Sequence, residues 1–125
     1  MRSWLLALIV AAWLAPYAAR ATTTDDFLVR RTEDLIDLCT TPESDPLYTA
    51  ALNFCHGYVV GAFNYHQELN AKAKRKLLCM PDPRPTRTEG VREFIAWAKA
   101  HPQYKNESPV ETLVEFLVEK WPCRK

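Results

Sequence analysis

The sequence predicts an all-α fold, a small four-helix domain stapled by two disulfides. Apolar residues recur with the spacing i, i+3 and i+4 in four separate stretches, the pattern of helices that bury one face. No comparable run alternates apolar and polar residues as a half-buried strand would. The chain of 125 residues also contains four cysteines, an even number that suits two disulfides in a small exported domain.

The first segment, residues 1–21, has the composition of a secretory signal peptide. Arg2 supplies the positive start, an apolar run follows, and Ala-Arg-Ala at 19–21 forms a small-x-small cleavage site. The apolar run covers about a dozen residues, fewer than the roughly 20 that a membrane anchor needs. We therefore expect cleavage after Ala21 and a single helical domain at residues 22–125.

Composition excludes several classes of function. Sixteen Lys and Arg residues nearly balance 15 Asp and Glu residues. Because the leader contains two arginines, its removal changes the net charge from +1 to −1, which gives no overall attraction to nucleic acid. Three glycines are too few for the Gly-rich loops that bind nucleotides. We expect neither a nucleic-acid partner nor a cofactor.

The mature chain is expected to begin with an extended or frayed arm at residues 22–31. Thr32 then has the position of an N-cap, with acidic Glu33 and Asp34 in the first turn that follows it. Apolar spacing continues to Cys39, so the first helix is short.

The second helix is expected to be the longest. Asp45 is placed to cap it, Pro46 suits its first position, and an apolar stripe continues to about Leu69. Gly57 and Gly61 lie four residues apart within it, and each lowers helix stability by up to about 1 kcal/mol relative to Ala. We expect another backbone to pack closely against them in compensation.

A basic run at residues 72–76 follows the second helix. It places four cations in five positions, and cations at a helix C-terminus favour the helix dipole. Such runs are most often simply solvated, and the alternative is a binding patch for a partner. Three prolines between residues 81 and 85 then prevent any helix.

The last two helices carry the clearest start signals. Thr86 and Glu89 form a capping box that opens the third helix, which ends before Pro102. Ser108 as a cap and Pro109 at the first helical position open the fourth helix. Its apolar stripe continues to the Trp-Pro-Cys sequence near the end of the chain.

The four cysteines can pair in three ways. They are Cys39, Cys55, Cys79 and Cys123, and no Cys-x-x-Cys spacing occurs to suggest a zinc site or a thioredoxin-like centre. In an up-and-down bundle the end of one helix lies near the start of the next. This topology favours Cys39 with Cys55 and Cys79 with Cys123, while the sequence leaves the other pairings open.

The sequence offers no catalytic centre. Cys55 and His56 are neighbours, but adjacent residues on a helix point about 100° apart and do not face each other. A thiol hydrolase would also require this cysteine to be free. His66 and His101 have no metal-binding spacing. We expect a protein that is not an enzyme and binds no metal.

The segment between the third and fourth helices, residues 101–107, is the candidate recognition element. It is polar except for one aromatic residue, Tyr104, and loops held by a rigid scaffold often bind partners. Tyr104 could be an interface anchor, or it could pack back on the core as in an ordinary connection. Both alternatives remain open at this point.

Five short motifs occur in order along the mature chain. They are Asp-Leu-Ile-x-Leu-Cys at 34–39, Cys-x-Gly-Tyr-x-x-Gly at 55–61, Cys-x-Pro at 79–81, His-Pro at 101–102 and Trp-Pro-Cys at 121–123. This ordered set resembles the Rap and Tai immunity proteins of type VI secretion, over about residues 28–125. His56 within the second motif and the variable segments at 72–76 and 103–107 concern the choice of partner more than the fold.

The resemblance implies a small periplasmic helical protein, usually dimeric, that binds a peptidoglycan amidase effector and blocks its active-site cleft. In such families a protruding loop near the last helices enters the groove of the toxin. Carried over, the partner-binding residues are Gln103, Tyr104, Lys105, Asn106 and Glu107, with Tyr104 as the anchor and Lys105 and Asn106 in polar contacts. The alternative is a periplasmic stress or chaperone-like protein without a dedicated toxin partner.

Overall fold

The computed structural model describes residues 20–124, and the leader expected at 1–21 lies almost wholly outside them. Four α-helices form the domain: α1 (Thr32–Cys39), α2 (Tyr48–Lys72), α3 (Arg87–Ala100) and α4 (Pro109–Lys120). Within the described range, β-structure is limited to one isolated antiparallel bridge between Leu78 and Pro122. The predicted all-α fold of four helices is confirmed.

The helix starts agree with the sequence signals to within two residues. At α3 the Thr86 hydroxyl accepts from the Glu89 N–H at 3.3 Å, and the Glu89 carboxylate accepts from the Thr86 N–H at 2.8 Å, as a capping box requires. The α2 helix begins at Tyr48 rather than at Pro46. The reason is a turn in which Asp45 accepts first from the Leu47 N–H through its side chain and then from the Tyr48 N–H through its carbonyl.

The arm before α1 is more ordered than predicted, because residues Thr24–Leu28 form a 3₁₀ helix. Asp26 stabilises its start, since its carboxylate accepts from the Thr23 N–H at 2.7 Å. This hydrogen bond, opposed by partial desolvation and helped by the Thr23 hydroxyl, lowers the pKa of Asp26. Phe27 then packs edge-to-face on Phe54 of α2, with the ring centroids 5.5 Å apart.

Apolar side chains from all four helices meet in one core. The fully buried members include Leu35 and Leu38 from α1, Ala51 and Cys55 from α2, Phe94 from α3, and Leu113 and Phe116 from α4. The rings of Phe94 and Phe116 lie 5.6 Å apart and join α3 to α4. Burial of this apolar surface is the main source of stability for the bundle.

Both favoured disulfides are present. Cys39 at the end of α1 is bonded to Cys55 on α2, with the Cα atoms 5.2 Å apart. Cys79 is bonded to Cys123, with the Cα atoms 4.8 Å apart, and ties the segment after α2 to the segment after α4. By the loop-entropy relation these bonds contribute about 3 and about 4 kcal/mol, respectively.

The prediction that another backbone packs closely against Gly57 and Gly61 is wrong for the part of the chain that the structure describes. Among residues 20–124, no other atom lies within 4 Å of the position that a Cβ atom would occupy on either glycine, apart from the chain neighbours and the backbone of the helix itself. The buried stripe of α2 runs through Cys55 and Val59, and each glycine is two residues, or about 200°, away from one of these. The glycines therefore lie on the solvent face of α2 rather than in its packed face.

Candidate partner-binding loop

Residues 103–107 form a short connection between α3 and α4. Its first two residues belong to a 3₁₀ turn at Pro102–Tyr104, and backbone hydrogen bonds from the Lys105 N–H to Pro102 and from the Glu107 N–H to Tyr104 continue the turn. The side chains of Gln103, Lys105, Asn106 and Glu107 are exposed. The structure thus brings four of the five residues expected to bind a partner onto one accessible surface.

The backbone of the loop caps α1. The first two N–H groups of this helix, at Thr32 and Glu33, donate to the carbonyl oxygens of Glu107 and Lys105, each at 2.9 Å. Helix N-termini have N–H groups without partners inside the helix, and side chains usually satisfy them. Here a distant loop does so, and the same bonds hold the loop backbone in place.

This capping explains why Thr32 is not the N-cap that the sequence predicts. Arg31 occupies the N-cap position, and Thr32 is the first helical residue, 2% exposed. Its Oγ1 atom lies 2.7 Å from the hydroxyl of Thr112, which is 0% exposed, and 3.1 Å from the Glu107 carbonyl oxygen. The hydroxyl therefore links α1, α4 and the loop inside the protein.

Tyr104 is half-buried and stacks on Trp97 of α3, with the ring centroids 5.3 Å apart and the planes 29° apart. Trp97 also stacks on His101 at 4.1 Å. His101 Nδ1 lies 2.7 Å from the Trp97 carbonyl oxygen, and because a carbonyl only accepts, Nδ1 carries the proton. One face of the Tyr104 ring thus packs against the scaffold, as in the second alternative for this residue, while part of the side chain stays accessible to a partner.

Charges of both signs surround the loop. Lys105 Nζ lies 3.6 Å from a Glu33 carboxylate oxygen, and Arg31 donates to the Asn106 side-chain carbonyl at 3.3 Å. Arg31 also pairs with Asp34 at 3.0 Å. Such exposed pairs contribute at most about 1 kcal/mol each to stability. Their main consequence is a mixed polar surface at one end of the bundle, suited to polar contacts with a partner.

The described residues give no support for catalysis or metal binding. Cys55 is in a disulfide, so it supplies no thiol to a hydrolase. Within residues 20–124, no group of three or more His, Cys, Asp and Glu side chains is arranged to hold a metal ion. The helices in the same range lack the combination of length and apolar character that a membrane crossing needs.

Sequence reasoning missed the residues that support the loop. Thr32 and Thr112 are 80 positions apart, and neither carries a local signal for their contact. Trp97 and His101 are four residues apart on one helix, so their stacking was accessible from helical spacing alone.

The fold and this site define a class: a small helical protein stapled by two disulfides, with an exposed polar loop between its last two helices. A family model for the Rap1a immunity proteins matches residues 31–123, and the chain belongs to this family. The resemblance noted from the motifs is thereby confirmed. A search of curated proteins found no match, and a search of solved structures found none either.

Membership of an immunity family implies a toxin as the binding partner. The two disulfides and the family membership together point to a periplasmic or secreted location, because disulfides persist in oxidising compartments. The matched range includes the whole of the loop at 103–107.

Proposed function

We propose that the protein is a periplasmic immunity protein that binds a peptidoglycan amidase of a type VI secretion system and occludes its active-site cleft. The loop at residues 103–107 enters the cleft, and no catalytic step takes place on the immunity protein. Export follows from the leader at residues 1–21, which is removed after Ala21.

The observation that carries this proposal is that an exposed loop is anchored to the scaffold at several points. Two of its carbonyl groups are committed to the N-terminus of α1, and its Tyr104 ring stacks on Trp97. A loop already fixed in one conformation loses little conformational freedom on binding, which favours tight association. Occlusion requires only such a surface and needs no catalytic group.

The loop residues have different roles in this proposal. Lys105, Asn106 and Gln103 are exposed and make polar contacts with the rim of the cleft. Tyr104 presents the part of its ring that Trp97 does not cover, as the apolar anchor. Central aromatic anchors of this kind often dominate the affinity of an interface.

The test is binding and inhibition of purified peptidoglycan amidases, beginning with any that is encoded beside this gene. We expect Lys105→Glu to weaken binding at least tenfold, or about 1.4 kcal/mol, without changing the melting temperature beyond the loss of one exposed ion pair. Lys74→Glu, in the exposed basic run at 72–76, is the matched control and should leave binding unchanged. If only Lys74→Glu weakens binding, the basic run is the site. Suppression of aggregation at low pH without amidase binding would favour the stress-protein alternative.

We also propose that the protein forms a homodimer through the exposed face of α2. This face contains Gly57 and Gly61, over which no residue of the described part of the chain packs, together with the exposed side chains of Tyr65 (65%) and Leu69 (51%). Two glycines four residues apart let a second helix approach closely, and the apolar side chains beside them would be covered by that contact.

Charge supports an antiparallel arrangement of the two copies. A crossing at the glycines would bring the basic run at 72–76 of one copy towards Glu43 of the other. We expect Gly61→Glu to yield a monomer in analytical ultracentrifugation, because it places a charge in the contact. Ala96→Glu, on an exposed position of α3, is the control and should stay dimeric. A dimer that persists in Gly61→Glu would place the interface elsewhere.

A further inference from the structure

Thr22, the residue that follows the expected cleavage site, is held in place by two polar contacts. Its backbone N–H donates to Asp45 Oδ2 at 2.8 Å. Its hydroxyl lies 3.1 Å from the hydroxyl of Thr41, which is itself buried. The nitrogen that would become the α-amino group of the mature chain is therefore already positioned against a carboxylate.

The same carboxylate organises the start of α2. While Asp45 Oδ2 accepts from Thr22, Asp45 Oδ1 accepts from the Leu47 N–H at 2.8 Å, one residue before the helix begins. These two backbone N–H groups hold the pKa of Asp45 below its ordinary value, with Thr22 the larger cause. Asp45 thus joins the beginning of the mature chain to the beginning of its longest helix.

We propose that the mature protein captures its own N-terminus: once the leader is removed, the Thr22 ammonium forms an ion pair with Asp45 that fixes the arm against the start of α2. The proposal rests on the export proposed above. Hydrolysis adds one water across the Ala21–Thr22 amide, leaves a carboxylate on the leader, and leaves an ammonium group on Thr22. A neutral donor to Asp45 is thereby replaced by a charged one, and charge-assisted hydrogen bonds are the stronger kind.

The charges around this position favour a new cation. Arg20, which pairs with Asp26 at 3.0 Å, departs with the leader. A cavity of about 210 Å³ beside Thr22 is lined by Asp26 and Asp37, and also by Arg20 and Ala21, which leave with the leader and open this side of the cavity. Burial raises the pKa of Asp37, and the nearby carboxylates of Glu33, Asp26 and Asp34 raise it further. The Thr22 ammonium replaces the lost positive charge in this acidic surrounding.

The ion pair has a defined pH range. The Asp45 carboxylate contributes stability fully above its unfolded pKa, near 3.8. This contribution is lost as the pH falls through the lowered pKa of the folded state. The Thr22 ammonium contributes stability fully below the unfolded pKa of an α-amino group, about 7.7–8.0. This contribution is lost as the pH rises through the pKa of the folded state, which the ion pair raises. The pair is therefore complete between about pH 4 and pH 8.

The test compares two forms of the oxidised protein at low salt and pH 6.5. One form begins at Thr22 through a fusion whose removal leaves no extra residue, and the other carries a Ser-Gly extension that keeps Thr22 as an amide. We expect the form with the free amine to melt roughly 2–5 °C higher, a shift typical of one ion pair in a domain this small. The difference should vanish in Asp45→Asn, which keeps a side-chain acceptor for Leu47, and persist in Glu43→Gln.

A melting difference that is absent, or that survives in Asp45→Asn, would overturn the proposal. Should Asp45→Asn fail to fold, NMR titration of the α-amino group in the native sequence decides, since a pKa within about 7.7–8.0 means that no ion pair exists. Mass spectrometry of the protein from separated periplasmic and cytoplasmic fractions distinguishes failure of this proposal from failure of the proposed function. A mature chain that starts at another residue overturns only the N-terminal capture, whereas an uncleaved cytoplasmic chain contradicts the exported function itself.

Discussion

The contact between Thr32 and Thr112 provides a quantitative test of how the loop is attached to the scaffold. Their hydroxyl oxygens lie 2.7 Å apart at positions that are 2% and 0% exposed, and Thr32 also reaches the Glu107 carbonyl oxygen. Valine replaces each hydroxyl by a methyl group with little change in shape. The substitutions Thr32→Val and Thr112→Val therefore probe the hydrogen bonds rather than the packing.

The two single variants should not cost the same free energy. Thr32→Val removes the partner of the Thr112 hydroxyl and one of the two donors to Glu107, so we expect a loss of about 2 kcal/mol in unfolding free energy. Thr112→Val leaves Thr32 its contact with Glu107, so we expect about 1 kcal/mol. The double variant leaves no unpartnered hydroxyl between the two positions. It should cost less than the sum, with a coupling of about 1 kcal/mol.

Urea unfolding of the oxidised protein, followed by circular dichroism, measures these free energies. Hydrogen exchange at the Thr32 and Glu33 amides, which donate to the loop, should accelerate in Thr32→Val because loosening of the loop exposes them. Additive single effects, within about 0.5 kcal/mol, would show that the two hydroxyls do not interact and would refute this description of the loop anchor.

Three further predictions concern the scaffold. Gly57→Ala should raise the unfolding free energy by up to about 1 kcal/mol in urea unfolding of Gly61→Glu, the variant expected to be monomeric, because open space surrounds the new Cβ within one chain; a loss of stability there would mean that a segment of the same chain covers this face. Asn70→Ala should cost about 1–3 kcal/mol in the same assay, since the buried amide both donates to and accepts from the backbone of Leu78; a cost below 0.5 kcal/mol would contradict that role. Hydrogen bonds from the Thr86 hydroxyl and N–H lower the pKa of Glu89. The stability that the Glu89 carboxylate contributes should therefore be present above its ordinary pKa of 4.5 and be lost as the pH falls through its folded pKa. Thermal melts of Glu89→Gln should lack this part of the acid dependence, and an unchanged pH profile would argue against the capping box.

Local signals were sufficient for most of the secondary structure. The capping box at Thr86 and the Ser108-Pro109 pair placed the starts of α3 and α4 to the residue. The box acts through hydrogen bonds within the first turn of α3, whereas at α4 the Ser108 side chain makes no capping hydrogen bond and the fixed φ of Pro109 suits the first helical position. The predicted N-cap of α1, Thr32, is one residue too late, because the first N–H groups of this helix are capped by a loop more than 70 positions away. Gly57 and Gly61 were assigned to a packed face, although counting residues from Cys55 and Val59 would have placed them on the opposite side.

The candidate site was only partly accessible from the sequence. Composition marked residues 103–107 as a polar connection with one aromatic residue, and the motifs indicated its role through the family. The stacking of Tyr104 on Trp97 and the capping of α1 by the loop carbonyls determine its rigidity, and both depend on contacts between separate elements.

The sequence by itself determined the helical class, the four helices and the family, and it favoured one disulfide pairing without deciding it. The helices depend on apolar periodicity and on capping within a turn, which act over a few neighbouring residues, and the family is indicated by the order of short motifs along the chain. Tertiary structure alone decided how the loop is held and where Thr22 lies relative to Asp45. The reason is that a hydrogen bond between distant residues depends on how whole helices pack, and no local pattern encodes that arrangement.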